Sequence, residues 1–314
     1  MTTDAWNKDT IGALIRTLAE KTFNTTVRSV RYIGGGSYGK VYRADFDAEP
    51  HTAVLKAYRV SGMHKTEQAQ IALLSEHSLI RYPKVYAACD ESADSPVCAL
   101  VMEYIAGVNA FNPRFMLKPD AAKKRFGKCV AENEIHMHQV TGDAYGLLLN
   151  PSYASWNAYY FEFAREVLEN ARHFAEEGKL NPKHVRTLQR AYDAFDRIFE
   201  QPVEKPVLLH GDLNVANILV DPKTLNPQAI IDPCNSLWGD PEYGLFQFHN
   251  FFNNTYGILE HYKARVPVSA LCDVKIAVYA FFNEIHCYMT SGVKIEPFNL
   301  WFNRALTKEL NAFS

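Results

Sequence analysis

The chain has 314 residues, 47% of them hydrophobic and 22% charged, with a formal net charge of −2. This describes a globular chain with a sizeable core, long enough for two lobes or two small domains. The near-neutral balance gives no electrostatic footprint for nucleic acid or an acidic membrane, so neither is expected as a partner.

In chain order, Ile11, Leu14, Ile15, Leu18 and Phe23 fall at helical spacing and predict a helix over 9–23, laid on the first lobe. A strand, a glycine loop and a second strand follow, because Val41 to Phe46 alternates apolar and polar. The loop, Gly34-Gly35-Gly36-Ser37-Tyr38-Gly39-Lys40-Val41, fits G-x-G-x-x-G-x-V at every fixed position. Glycines let backbone N–H groups turn toward a triphosphate. A dinucleotide site would need a helix directly after the loop, whereas the next segment here is β-rich. Ala53-Val54-Leu55-Lys56 reads as a strand ending in a phosphate-contacting lysine. Glu67, Ile71 and Leu74 then share a helix face, with Glu67 the expected ion-pair partner of Lys56 and Glu76 the second choice. Pro83 ends that helix segment, and Cys98 to Gly107 reads as a further strand with a change of composition at Gly107.

From residue 120 the pattern is helical. One helix carries Phe126, Val130, Asn133 and Met137 and ends near Thr141-Gly142. A second carries Trp156 to Phe174, and a third runs from Val185 to Phe199; their aromatic stripes predict core. Helices are also expected at about 268–291 and 298–312. The first of these contains Asp273, Lys275, Asn283, Glu284 and His286, which suits a buried helix and not a membrane span. The six cysteines form no CxxC pair and no zinc module, so they read as reduced thiols of a cytoplasmic protein. The N-terminal MTTDAWNKDT has no apolar signal core.

The most informative stretch is 207–233, VLLHGDLNVANILVDPKTLNPQAIIDP. Three short apolar runs, 207–209, 218–220 and 229–231, read as strands, and Asp-Pro-Lys-Thr-Leu-Asn-Pro is turn chemistry. Asp212 then follows one strand, Asn217 enters a hairpin and Asp232 ends it. A carboxylate, an asparagine five residues on and a second aspartate after a hairpin suit phosphoryl transfer, which needs a proton acceptor and hard oxygen ligands for magnesium.

HGDLxxxNIL followed by IDP closely resembles the aminoglycoside phosphotransferase, choline kinase and fructosamine kinase superfamily. The resemblance spans about residues 30–250, with the motifs in the family's order. It implies an α+β, protein-kinase-like fold: an N-terminal lobe, 1–105, with an antiparallel sheet and helices, and a mostly helical C-terminal lobe, 106–314. It implies ATP and Mg2+ as cofactors and a small-molecule hydroxyl as acceptor. Asp212 would orient or deprotonate the acceptor, with Asn217 and Asp232 holding the metal. Gly34, Gly36, Ser37, Gly39 and Val41 would cover the nucleotide, Lys56 would place its phosphates and Glu67 would fix Lys56. Residues 98–107 resemble the family's edge strand and hinge, with Met102 beside the adenine and Glu103 to Ile105 offering backbone groups to it. Where protein kinases usually carry an arginine that pairs with a phosphorylated loop, this chain has Gly211, so that control is not expected.

The segment W-G-D-P-E-Y also resembles the family, and from Trp238 to the C-terminus the chain is similar to a group of bacterial phosphotransferases without an assigned substrate. Most members then place an Asp or Glu that braces the catalytic loop; here the residue is Gly244, with Asp240 or Glu242 as possible substitutes. That departure keeps a second reading open, a catalytically weak or inactive nucleotide-binding regulatory protein. Glu284, Asn283, His286, Asp240, Glu242 and Trp238 are the expected acceptor-pocket candidates.

Overall fold

A computed structural model of the protein describes residues 6–36, 38–92, 96–249, 253–293 and 296–313. Helix α1 (Lys8–Phe23) opens the fold, capped by the Asn7 side chain, which accepts the N–H groups of Asp9 and Thr10. Its apolar stripe, Ile11, Ile15, Leu18 and Ala19, is buried against the first three strands. Each large aliphatic residue so buried contributes about 1.5–3 kcal/mol.

The strands are β1 (Val27–Gly35), β2 (Gly39–Phe46), β3 (Thr52–Tyr58), β4 (Val85–Cys89) and β5 (Cys98–Glu103), with α2 (Met63–His77) between β3 and β4. They form one antiparallel sheet in the order β1-β2-β3-β5-β4. The strand expected at the edge, β5, is therefore internal. Its residues 98–101 are fully buried, and β4 takes the edge. Period-two burial in β2 and β3 places Ala44, Phe46, Ala53, Leu55 and Ala57 under α1.

Beyond β6 (Val108–Asn109), the chain is mainly helical: α3 (Asp120–Met137), α4 (Trp156–Glu176), α5 (Pro182–Asp193), α6 (Phe195–Ile198), α7 (Pro241–Leu245), α8 (Ile258–Lys263), α9 (Cys272–Ser291) and α10 (Glu296–Phe313). The stripe expected as one helix from 185 to 199 is broken at Ala194 into α5 and α6, and α3 ends at Met137, before Thr141. Helices α4, α5 and α10 surround α9, which buries twelve residues including Lys275. The aromatic stripes do form core: Trp156, Tyr160, Phe195, Phe199, Tyr243 and Tyr279 pack as one ring cluster.

Small sheets sit between the large one and the helices. One pairs β9 (Ile218–Val220) with β10 (Pro227–Ile230) and β6; the other pairs β11 (Leu237–Gly239) with β7 (Gly146–Leu147) and β8 (Val207–Leu209). The β9–β10 turn is closed by Asp221, whose Oδ1 accepts N–H bonds from Lys223 and Thr224.

Behind these sheets lies a buried ion cluster. Lys275 Nζ bonds Asp240 Oδ2 at 2.5 Å and Glu242 Oε2 at 2.7 Å. Asp240 also accepts the Tyr279 hydroxyl at 2.6 Å, and Glu242 accepts the Ser269 hydroxyl at 2.9 Å. Lys275→Met would leave two buried carboxylates without their cation, a loss of about 3–5 kcal/mol of stability. Urea unfolding would read it, and the triple variant Lys275→Met/Asp240→Asn/Glu242→Gln would recover part of the loss.

Candidate active site

The glycine loop joins β1 to β2. Gly34 pairs with Val41 across the turn, Gly36 N–H donates to the Gly39 carbonyl at 3.1 Å, and Val41 sits opposite Lys56. Ser37 lies outside the described residues. The register β2–β3 brings the loop and Lys56 to one end of the sheet.

Lys56 is the meeting point of three segments. Its Nζ donates to Glu67 Oε2 on α2 at 2.6 Å and to Asp232 Oδ1 after β10. Burial alone would lower the lysine pKa; the carboxylates of Asp232 and Glu67 outweigh it and hold the ammonium well above its ordinary range. Glu67 is 7% exposed and reaches Lys56, so the alternative partner Glu76 is not needed. Asp232 has φ 58°, a left-handed conformation rare for a non-glycine residue.

Met102 is buried in β5 opposite Val54 and Val85. Glu103 N–H donates to the Lys84 carbonyl at 2.8 Å, and its carboxylate accepts from Arg81 and from Lys84 N–H. The Glu103 side chain thus anchors the segment before β4. Ile105 follows the end of β5, half-buried, in the crossing to β6.

The stretch from His210 to Asn217 folds around one carboxylate. Asp212 Oδ1 accepts from Asn214 Nδ2 at 3.0 Å and Gln247 Nε2 at 2.8 Å; Oδ2 accepts from Asn217 Nδ2 at 3.0 Å. Asn217 also donates to the Asp212 carbonyl at 2.8 Å, which closes the loop onto itself. Burial first, and the nearby Asp232 charge second, push the Asp212 pKa up to about 7 against those hydrogen bonds. Asn214 and Gln247 were absent from the sequence reading. Asn214 is within the motif as an Asx cap on 215–217, accepting Ala216 N–H, but Gln247 is 35 residues from Asp212 and carries no motif.

His210 lies under the loop, 1% exposed, with Asp212 N–H directed at its Nδ1 at 3.3 Å. Burial pushes its pKa down to about 4, so it is neutral. Gly211 has φ 85°, and a Cβ there would stand 2.6 Å from the Asn235 carbonyl carbon and closer to the Cys234 and Asn235 oxygens. Only glycine fits.

The acceptor-side candidates separate. Asp240 and Glu242 are committed to Lys275, so neither braces the catalytic loop in place of residue 244 and neither offers a free charge to a ligand. The Trp238 ring packs on Gly142, and the His286 ring packs on Phe163. Glu284 is half-buried on α9, its pKa raised to about 7 by burial, and no basic group among the described residues pairs with it. Cys287 lies one turn on; burial of its thiol, with the charges of Asp212 and Glu284 adding, pushes it up to about 12. Asn283 is half-buried on the same helix.

Residues 29–263 match the model of the phosphotransferase enzyme family. The uncharacterised protein YcbJ of Escherichia coli K12 is 20% identical over 250 residues, covering 79% of this chain and 82% of its own. Among solved structures, a candidate fructosamine-3-kinase from Haemophilus somnus superposes with TM-score 0.67 at 18% identity, over 94% of this chain and 96% of that one. A thermostable variant of the aminoglycoside phosphotransferase APH(4)-Ia, in complex with AMP-PNP and hygromycin B, gives 0.70 at 16% identity over 96% and 99%. The GDP complex of aminoglycoside 2'-phosphotransferase-IIIa gives 0.69 at 14% identity over 96% and 99%.

Gly211→Ala tests the local constraint. A side chain at positive φ against the 234–235 backbone should cost at least about 1–3 kcal/mol, read as a lowered urea midpoint. With its antiparallel sheet, helical remainder and these matches, the fold is protein-kinase-like, and the chain belongs to the phosphotransferase enzyme family.

Proposed function

We propose that the protein is a kinase that transfers the γ-phosphoryl group of ATP to a hydroxyl of a small molecule. One observation carries the reading: Asp212 is held on both carboxylate oxygens with its pKa raised to about 7, beside the Lys56–Asp232 ion pair. A base is most useful when its pKa lies near the working pH.

In this reading Asp212 orients the acceptor hydroxyl and takes its proton as the phosphorus–oxygen bond forms. Lys56 places the phosphates and Glu67 keeps it in position. The glycine loop of Gly34, Gly36, Ser37, Gly39 and Val41 covers them. Because the Asn217 amide nitrogen is committed to Asp212, its amide oxygen and the Asp232 carboxylate supply the hard donors that suit Mg2+. Bound there, the metal would neutralise charge on the transferring phosphates. The Glu103 N–H is spent on Lys84, so Ile105 would supply the hinge N–H for the base, with Met102 behind it. Residues 1–105 would form the nucleotide lobe and 106–314 the acceptor lobe. Glu284, without a basic partner among the described residues, favours an acceptor that brings a cation or several hydroxyls to the cleft.

Asp212→Ala should lower kcat by at least ~10²-fold while leaving the Kd for MgATP within about twofold; a variant retaining over half the activity would remove the assignment. The kcat/KM profile should fall on the acid side as Asp212 is protonated. Neutralising Asp232 with metal removes the second cause of the raised pKa, so the limb should lie below the metal-free value of about 7. A metabolite extract incubated with MgATP and followed by mass spectrometry would name the acceptor. A compound gaining phosphate with wild type but not with Asp212→Ala is the expected result. No phosphorylated product and no ATP turnover, in a protein still stabilised by MgATP, would favour the regulatory alternative.

A further inference from the structure

Gly244 offers the catalytic loop no side chain, and the space beside it has been taken from another direction. A Cβ at 244 would sit 3.0 Å from both His138 Nε2 and Leu209 Cδ2. His138 ends α3, and its Nδ1 is bonded to the Tyr262 hydroxyl at 2.8 Å. One turn earlier on the same helix is Glu134, 2% exposed, whose Oε2 lies 3.6 Å from His138 Nε2. Glu134 thus brings a buried carboxylate to the side of the loop that residue 244 does not serve.

The polar atoms here are under-satisfied in a consistent way. Glu134 Oε1, His138 Nε2, His210 Nε2 and the Tyr82 hydroxyl are all buried with no hydrogen-bond partner among the described residues. The Tyr82 ring stacks on His210 at 6.0 Å between centroids and feels the Glu134 charge. Leaving such a group unsatisfied is costly, and two of the four, on Glu134 and His210, belong to residues that border one small cavity and can share a partner there. This cavity of about 10 Å3, bordered by Glu134, His210, Gly211, Gly244 and Gln247, has room for one. That is roughly the volume one water needs, and a buried water typically makes about three hydrogen bonds.

We propose that Glu134 is a positioning residue for the catalytic loop, acting through a buried water in this cavity in place of the side chain missing at 244. The same cavity touches Gln247, which holds Asp212, so the brace reaches the base from behind. The effect on rate rests on the kinase reading above; the brace itself does not.

The test uses the full-length chain and the near-isosteric Glu134→Gln, which keeps the volume and replaces one acceptor oxygen by a donor. Two quantities are read: turnover of MgATP with water as acceptor, and amide hydrogen exchange over 207–217. The expected result is a kcat at least fivefold lower, a KM for MgATP within twofold of wild type, and faster exchange in 207–217 with β3 unchanged. A structural role alone would loosen α3 without splitting kcat from KM. Wild-type kcat, or loop exchange no faster than wild type, overturns the proposal. If the wild-type protein turns over no ATP with water, the exchange rates alone decide the brace, and the kinase reading is judged separately by product formation from the metabolite extract.

Discussion

One ammonium group ties the sheet to the end of the β9–β10 hairpin. Lys56 is anchored in β3, receives Glu67 from α2 and receives Asp232 from the end of the β9–β10 hairpin, 176 residues away in sequence. Its burial would be costly without both carboxylates, because an uncompensated buried charge is strongly unfavourable. The position of α2 over the sheet and the reach of the hairpin toward it are therefore coupled. Asp232 adopts its left-handed conformation at this junction, and strain of that kind persists only where the surroundings over-determine it.

A second constraint acts on the other aspartate. Asp212 is pushed toward its neutral form by burial and by Asp232, yet three side-chain amides point at its carboxylate oxygens. These opposing influences leave it poised near neutrality instead of fully charged or fully protonated. The two aspartates thus differ by environment: Asp232 faces a cation, Asp212 faces amides. Chemical division between like side chains is what an acid–base site needs.

Most of this was legible where chemistry is written locally. The glycine loop, the strand ending at Lys56 and the His-Gly-Asp stretch have short-range signatures, and α1, α3, α4 and α9 announce themselves by apolar period. The order of strands was less legible: the edge place expected for β5 came from the resemblance, whereas its unbroken apolar run, Cys98 to Met102, suits the central place that pairing with both β3 and β4 gives it. The break at Ala194 was hidden because the aromatic stripe continues across it, through packing of Phe195 and Phe199 on Tyr160. Asp240 and Glu242 looked available because nothing in their own neighbourhood supplies a cation; Lys275 comes from α9. Gln247 and Glu134 were missed for the same reason, since their roles exist only through contacts made far along the chain.

The crowding at Gly211 has a consequence for how such a protein can change over generations. In many protein kinases this position carries the residue that reads a phosphorylated loop. Here the backbone of 234–235 fills the space any side chain would enter, and the glycine's own conformation disfavours one. A single codon change to arginine would meet a barrier before it conferred any control. Phosphorylation-dependent switching through this position is accessible only after the 234–235 segment has first moved, which makes it a two-step route whose first step brings no advantage of its own.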